Sequence, residues 1–180
     1  MDVGGATALL VAVAGVVGTL LSALLTQRAA DRSRQREQER AEQLRKRRSE
    51  AQELRSCYVA LNTSARQYLS ALTDHLHALG RDEDLRSVRQ RLTEARDQHR
   101  DAYAEAQMRV PERVLELAGG LSHGLGAVYG MVRRLDDGVP RAGDSPAAVQ
   151  AGIDALWGGL RAMRRALRAD LGASRADLGR

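Results

Sequence analysis

The chain has 180 residues, a formal net charge of +5 and one cysteine. A single cysteine excludes an internal disulfide framework, and β-branched and aromatic residues are too sparse for a β-sandwich or barrel. The length allows one small domain with an accessory segment. We predict an all-α protein that has one N-terminal transmembrane helix, a charged helical stalk, and a cytoplasmic antiparallel helical bundle or coiled coil.

The first segment of the chain is an uncharged run over residues 3–26. As a helix it would be about 36 Å long, enough for a hydrocarbon core of about 30 Å. We therefore predict a transmembrane anchor over 1–27. A buried core helix is one alternative, although soluble helices rarely stay uncharged for so long. A cleaved signal peptide is the other, although it needs a basic start and a small-residue exit.

The charges that flank this run predict its orientation. Only Asp2 precedes it, whereas residues 28–48 carry nine basic side chains. Basic flanks stay on the cytoplasmic side. We expect a single-pass protein of the inner cell membrane, with its N-terminus outside and its C-terminal domain in the cytoplasm.

Small residues recur at every fourth position of the predicted span, at Ala14, Gly18 and Ser22. Such a face lets two helix backbones approach closely. The pattern predicts packing between spans, and therefore a homo-oligomer.

Residues 28–56 form a charged stalk with ten basic and six acidic residues and no glycine or proline. Basic residues close to the membrane are attracted to anionic lipid headgroups. Six residues are predicted to make this contact: Arg28, Arg32, Arg45, Lys46, Arg47 and Arg48. Nucleic acid is the competing partner, but no aromatic side chain between Asp2 and Cys57 could stack on bases. We therefore favour the lipid bilayer and its headgroups over nucleic acid.

The cytoplasmic part shows apolar residues at helical spacing of three and four. We predict a hairpin or bundle over 57–135, a linker over 136–146, a helix over 147–172 and a frayed tail over 173–180. The residues expected to assemble the helices are Leu54, Tyr58, Leu61, Tyr68, Leu72 and Leu79. The same spacing suits an intramolecular bundle and a parallel coiled coil between two copies, and both remain open.

Local signals predict the ends of these helices. Gly80 ends the first, Pro111 opens the third, and Ser145 caps the fourth. The third helix contains five glycines, each of which costs about 1 kcal/mol relative to alanine. Close packing against another helix would explain them.

Candidate catalytic groups are few. His75 and His77 project about 200° apart on a helix, so they cannot share a metal. His75 and His99 fall on the apolar seams, which predicts histidines partly buried in a bundle, and His99 should face the chain near residue 63. Cys57 is expected to be an ordinary small residue. We predict no catalytic, cofactor-binding or metal-binding residues and no cofactor.

Two stretches give the chain a family resemblance: ALLVAVAGVVGTLLSALLTQRAADRSRQRE at 8–37 and RVPERVLELA at 109–118. Across residues 6–135 the chain resembles small actinobacterial membrane proteins labelled KilB-like, after a Streptomyces plasmid protein implicated in intermycelial plasmid spread. The resemblance implies a role in plasmid spread or in an envelope-associated assembly.

The sequence thus predicts a non-enzymatic, membrane-anchored helical scaffold that binds a protein partner of unknown identity. One alternative is a membrane-perturbing protein of the holin or toxin class, because clustered spans can form lesions. The other is a membrane-tethered nucleic-acid-binding protein.

Overall fold

The computed structural model describes the backbone of residues 3–81 and 85–178, and the side chains of residues 37–81 and 85–172. These ranges contain four helices and no strand: α1 (Val3–Leu79), α2 (Leu85–Arg109), α3 (Glu112–Asp136) and α4 (Pro146–Leu178). The predicted all-α class is confirmed. The chain divides into two units, Met1–Ser49 and Glu50–Arg180.

The first unit consists of helix α1 up to Ser49. Its described side chains, from residue 37 onward, are all exposed, as a polar helix requires. The predicted span and the residues Ala14, Gly18, Ser22, Arg28 and Arg32 lie outside the described side chains. Within the part of the chain whose side chains the structure describes, no helix is both apolar and long enough to cross a membrane.

The second unit is an antiparallel four-helix bundle. Two polar contacts align α1 with α2: Glu53 pairs with Arg109, and Ser64 lies beside His99. A residue further along α1 therefore contacts a residue earlier in α2, so the two helices are antiparallel. The α3 and α4 helices run antiparallel in the same way, since Gly124 faces Leu156 and Val128 faces Gly152. Short connections between consecutive helices produce this up-down-up-down order.

The core of the bundle explains why α1 belongs to it. Most turns of α1 between residues 57 and 76 bury two neighbouring residues, not one. They include Cys57 with Tyr58, Ser64 with Ala65, Tyr68 with Leu69, Ala71 with Leu72, and His75 with Leu76. A two-stranded coiled coil needs only a narrow seam, whereas this wide face packs against several helices.

Helix ends follow local chemistry. Helix α1 ends at Leu79, immediately before Gly80, as predicted. Ser145 caps α4 by accepting a hydrogen bond from the backbone N–H of Ala148 at 3.1 Å, also as predicted. Such a cap contributes about 1 kcal/mol. Pro111 occupies the cap position of α3 and not its first helical residue, so that prediction was off by one residue.

The connection between α3 and α4 spans residues 137–145, within the predicted linker. Arg134 donates two hydrogen bonds, at 2.6 and 2.8 Å, to the carboxylate of Asp144. Gly138 and Gly143 have φ angles of 71° and 91°, which side chains disfavour. At the other end, α4 continues to Leu178, so the residues predicted to fray beyond 172 are largely helical.

The glycines of α3 differ in what surrounds them. A Cβ on Gly124 would lie 2.6 Å from Cδ2 of Leu156 on α4, so this residue is needed for close helix packing. Gly120 and Gly126 have open space where a Cβ would be. The predicted reason for the glycines therefore holds at Gly124 but not at these two.

Candidate functional site

The predicted headgroup residues that the structure describes lie on the first unit. Arg45, Lys46, Arg47 and Arg48 are all exposed. Their charges are therefore available to solvent or to a partner.

The residues predicted to assemble helices lie in the second unit. Tyr58, Leu61, Tyr68 and Leu72 are at most 2% exposed, and Leu54 and Leu79 pack against the same core. These six side chains contact the chain's own bundle. Tyr58 also donates a 2.6 Å hydrogen bond to Asp170, so it ties α1 to α4. Burial and this carboxylate raise the pKa of the Tyr58 hydroxyl.

The middle of the bundle contains a buried polar layer that connects three helices. Nδ1 of His99 on α2 lies 3.3 Å from Oγ of Ser64 on α1. Its Nε2 lies 2.9 Å from Oγ of Ser122 on α3. Ser64 also donates to the carbonyl of Leu61 at 3.2 Å. The contact with Ser64 is one residue from the position that the sequence predicted for the partner of His99.

Donors and acceptors in this layer match in one arrangement. Because Ser64 donates to a backbone carbonyl, its oxygen is free to accept the Nδ1 proton of His99. Nε2 then accepts the hydroxyl proton of Ser122. The imidazole is neutral in this arrangement, and burial lowers its pKa to about 4. Both ring nitrogens of His99 and both serine hydroxyls thus have hydrogen-bond partners, and the layer fixes the register of three helices.

Aromatic rings surround the histidine of this layer. The Tyr68 and Tyr103 rings lie 5.9 and 6.4 Å from the His99 ring, centroid to centroid. Tyr129 lies 6.4 Å from Tyr68, and the Arg96 guanidinium sits 4.8 Å above the Tyr129 ring. These apolar and π-rich neighbours desolvate the imidazole, which is why it stays neutral.

A second buried polar cluster lies at the end of the bundle near Gly80. The side chain of Asp136, at the end of α3, is fully buried and accepts two hydrogen bonds from Arg89, at 2.6 and 2.7 Å. Nε2 of His75 lies 3.2 Å from the same carboxylate, although its ring is too poorly aligned to form a hydrogen bond. The cluster joins α1, α2 and α3 at one carboxylate.

Electrostatics in this cluster favour a carboxylate with a neutral imidazole. The Arg89 hydrogen bonds hold the pKa of Asp136 below its usual value despite burial. Burial lowers the pKa of His75, and this effect outweighs the attraction of Asp136. Arg89 and Arg133 add positive charge that also disfavours protonation of the imidazole.

Sequence reasoning missed four members of these clusters: Ser64, Arg89, Ser122 and Asp136. Each is a polar residue that would be exposed on an isolated helix. The signal for Ser64 was present, because the hairpin register placed His99 opposite residue 63. Asp136 lies across the bundle from α1, and helical periodicity carries no information about contacts between non-consecutive helices.

The remaining candidate for a chemical role, Cys57, is a packing residue. Cys57 is 2% exposed, and burial raises the pKa of its thiol, which disfavours the reactive thiolate. Within the part of the chain that the structure describes, no group of three His, Cys, Asp or Glu side chains could hold a metal ion. No protein family, curated protein or solved structure matches this chain.

Proposed function

We propose that this protein is a non-enzymatic scaffold that is anchored in the inner membrane and presents a helical bundle to other proteins. The uncharged run over residues 3–26 is the observation that carries the proposal. Its 24 residues match the length that a bilayer demands, and charged residues follow it at once.

The basic residues after the run support the same arrangement. Arg45 to Arg48 are exposed. On an upright helix α1, Arg45 would stand about 28 Å beyond residue 26, outside a Debye length of about 10 Å, so these four cations reach anionic headgroups where α1 lies along the membrane surface. Each basic group near such a surface contributes about 1 kcal/mol of attraction. A membrane anchor and a basic juxtamembrane segment would therefore reinforce each other.

The bundle supports a role in presentation. Its large apolar side chains are mostly inside, and two buried polar clusters fix its helix register. A rigid body held at a membrane meets its partners at a raised effective concentration. Tethering is thus the proposed mechanism. The KilB-like resemblance favours plasmid spread, or an envelope-associated assembly, as the setting.

Membrane fractionation with carbonate extraction tests this proposal. We expect the full chain to remain in the membrane pellet. A Val13→Arg, Val17→Arg variant should move to the supernatant, because each central arginine costs about 3 kcal/mol of insertion free energy. The matched control is Val13→Leu, Val17→Leu, which keeps the run apolar and should stay in the pellet.

Two outcomes would contradict the proposal. If the unmodified chain washes into the supernatant, the uncharged run does not anchor it. If expression of the unmodified chain admits dye and kills cells while the arginine variant does not, the membrane-perturbing alternative replaces the scaffold.

A further inference from the structure

Most described cations at the helix ends of the bundle already have acidic partners. Arg89 binds Asp136, Arg109 binds Glu53, and Arg134 binds Asp144. Cations without such a partner are free to act between molecules.

The outer face of α4 carries such charges. Arg161, Arg165 and Arg168 are exposed and lie within an arc of about 60° on the helix. Among the described residues, none of the three is within ion-pair distance of a carboxylate. The only described carboxylates of α4 are bonded elsewhere, Asp154 to Gln150 and Asp170 to Tyr58. From residue 161 to residue 168, this face therefore carries three arginines and no carboxylate.

The outer face of α2 is its electrostatic complement. Glu94, Asp97, Asp101 and Glu105 are exposed and fall within an arc of about 80°. Glu105 also approaches Arg109 at 3.4 Å. The arginines of the same stretch project outside this arc, so the face is acidic from residue 94 to 105.

The two faces cannot meet within one chain. In the bundle, α2 packs against α1 and α3, whereas α4 packs against α3 and α1. They are therefore diagonal helices, and their outer faces point in opposite directions. Charges on both faces recur every three or four residues, so two copies can form several pairs in one register.

We propose that the basic face of α4 in one copy binds the acidic face of α2 in a second copy. The contact is head-to-tail, because each copy uses a different face toward each neighbour. Because the two faces point in opposite directions, such contacts extend into rings or open filaments and do not close into a dimer. The inference rests on the proposed scaffold function and names the surface through which the scaffold would grow.

Cross-linking of cysteine variants tests this contact in the full chain, kept in nonionic detergent. One variant carries Gln98→Cys on α2 and the other carries Ala169→Cys on α4. Both positions are exposed, whereas native Cys57 is buried and should not react. A bismaleimide should link the two variants in a mixture at low salt, at least tenfold more than it links either variant alone. Raised salt should reduce the yield.

Charge reversal makes the test specific. Adding Arg161→Glu and Arg165→Glu to the Ala169→Cys variant should lower the cross-link yield at least tenfold. Adding Asp97→Arg and Asp101→Arg to the Gln98→Cys variant should then restore it. Reversal at exposed Arg113 on α3 is the matched control and should leave the yield unchanged.

Two results would overturn the contact between copies. Equal cross-linking in every variant would show that the charges do not direct assembly. Reversal on α4 that leaves cross-linking intact but abolishes sedimentation with phosphatidylglycerol vesicles would make lipid the occupant of this face. Either result leaves the carbonate-extraction test of the anchor untouched, so the two proposals fail independently.

Discussion

Substitution of Gly152 by alanine tests how closely α3 and α4 approach. A Cβ at this position would lie 2.8 Å from Cγ2 of Val128, well inside the 3.5–4.0 Å of an ordinary carbon contact. Val128 is buried, and a β-branched side chain in a helix has essentially one rotamer, so it cannot turn away. The two helices must separate instead.

The magnitude follows from two opposing effects. Overpacking of a core costs about 1–3 kcal/mol, whereas alanine in place of a helical glycine gains about 1 kcal/mol. We expect Gly152→Ala to lower the free energy of unfolding by about 1 kcal/mol. Gly120→Ala is the matched control, because its Cβ would enter open space on α3, and we expect it to gain about 1 kcal/mol.

Urea unfolding followed by tryptophan fluorescence measures both variants. Trp157 is the only tryptophan and lies in the bundle, so its signal reports the second unit within the full chain. The unfolding midpoints should shift in opposite directions for the two variants. If Gly152→Ala stabilised the bundle as much as Gly120→Ala, the close approach of the two helices would be refuted.

Three further predictions concern the buried groups. The pKa of His99 is near 6.5 in the unfolded chain but about 4 in the bundle, so the unfolded state binds more protons between these two pH values. The free energy of unfolding should therefore fall by about 3 kcal/mol on acidification through this range. A His99→Gln variant should show a smaller fall, measured by urea titrations across the same range. Asp136→Asn should cost about 2 kcal/mol in the same assay, since it weakens the two charge-assisted hydrogen bonds that the buried carboxylate accepts from half-exposed Arg89, whereas exposed Asp137→Asn should cost under about 0.5 kcal/mol. Leu61→Asp places a charge at a fully buried site and should prevent the bundle from folding, seen as loss of protease resistance, whereas exposed Val59→Asp should be tolerated. A folded Leu61→Asp variant would contradict the placement of that residue.

Features that depend on near neighbours in the chain were predictable. A glycine and a serine-proline pair marked the end of α1 and the start of α4 because capping uses residues within one turn. The spacing of three and four within α4 places Val149, Ile153 and Leu160 on one face of the helix, and all three are buried.

Features that depend on tertiary packing could not be predicted from the sequence. The sequence could not distinguish a bundle from a coiled coil, because Tyr58, Leu61 and Leu72 satisfy both patterns. The distinction came from their neighbours, such as Cys57 and Leu76, which are buried as well. The spacing of residues along α3 could not predict the role of the Asp136 carboxylate either, because its partners lie on two other helices.

The wide buried face of α1 has a consequence for how the chain is made. This face is synthesised first, yet its partners include α4, which begins at Pro146. At about 5–20 residues per second, the ribosome needs roughly 5–20 s to pass from the end of α1 to the end of α4. During that interval a nascent helix carries uncovered leucines and tyrosines. The α1–α2 and α3–α4 hairpins each close over a short connection, whereas the contact between Tyr58 and Asp170 joins residues 112 positions apart. We therefore expect docking of the two hairpins to be the late and slow event of folding.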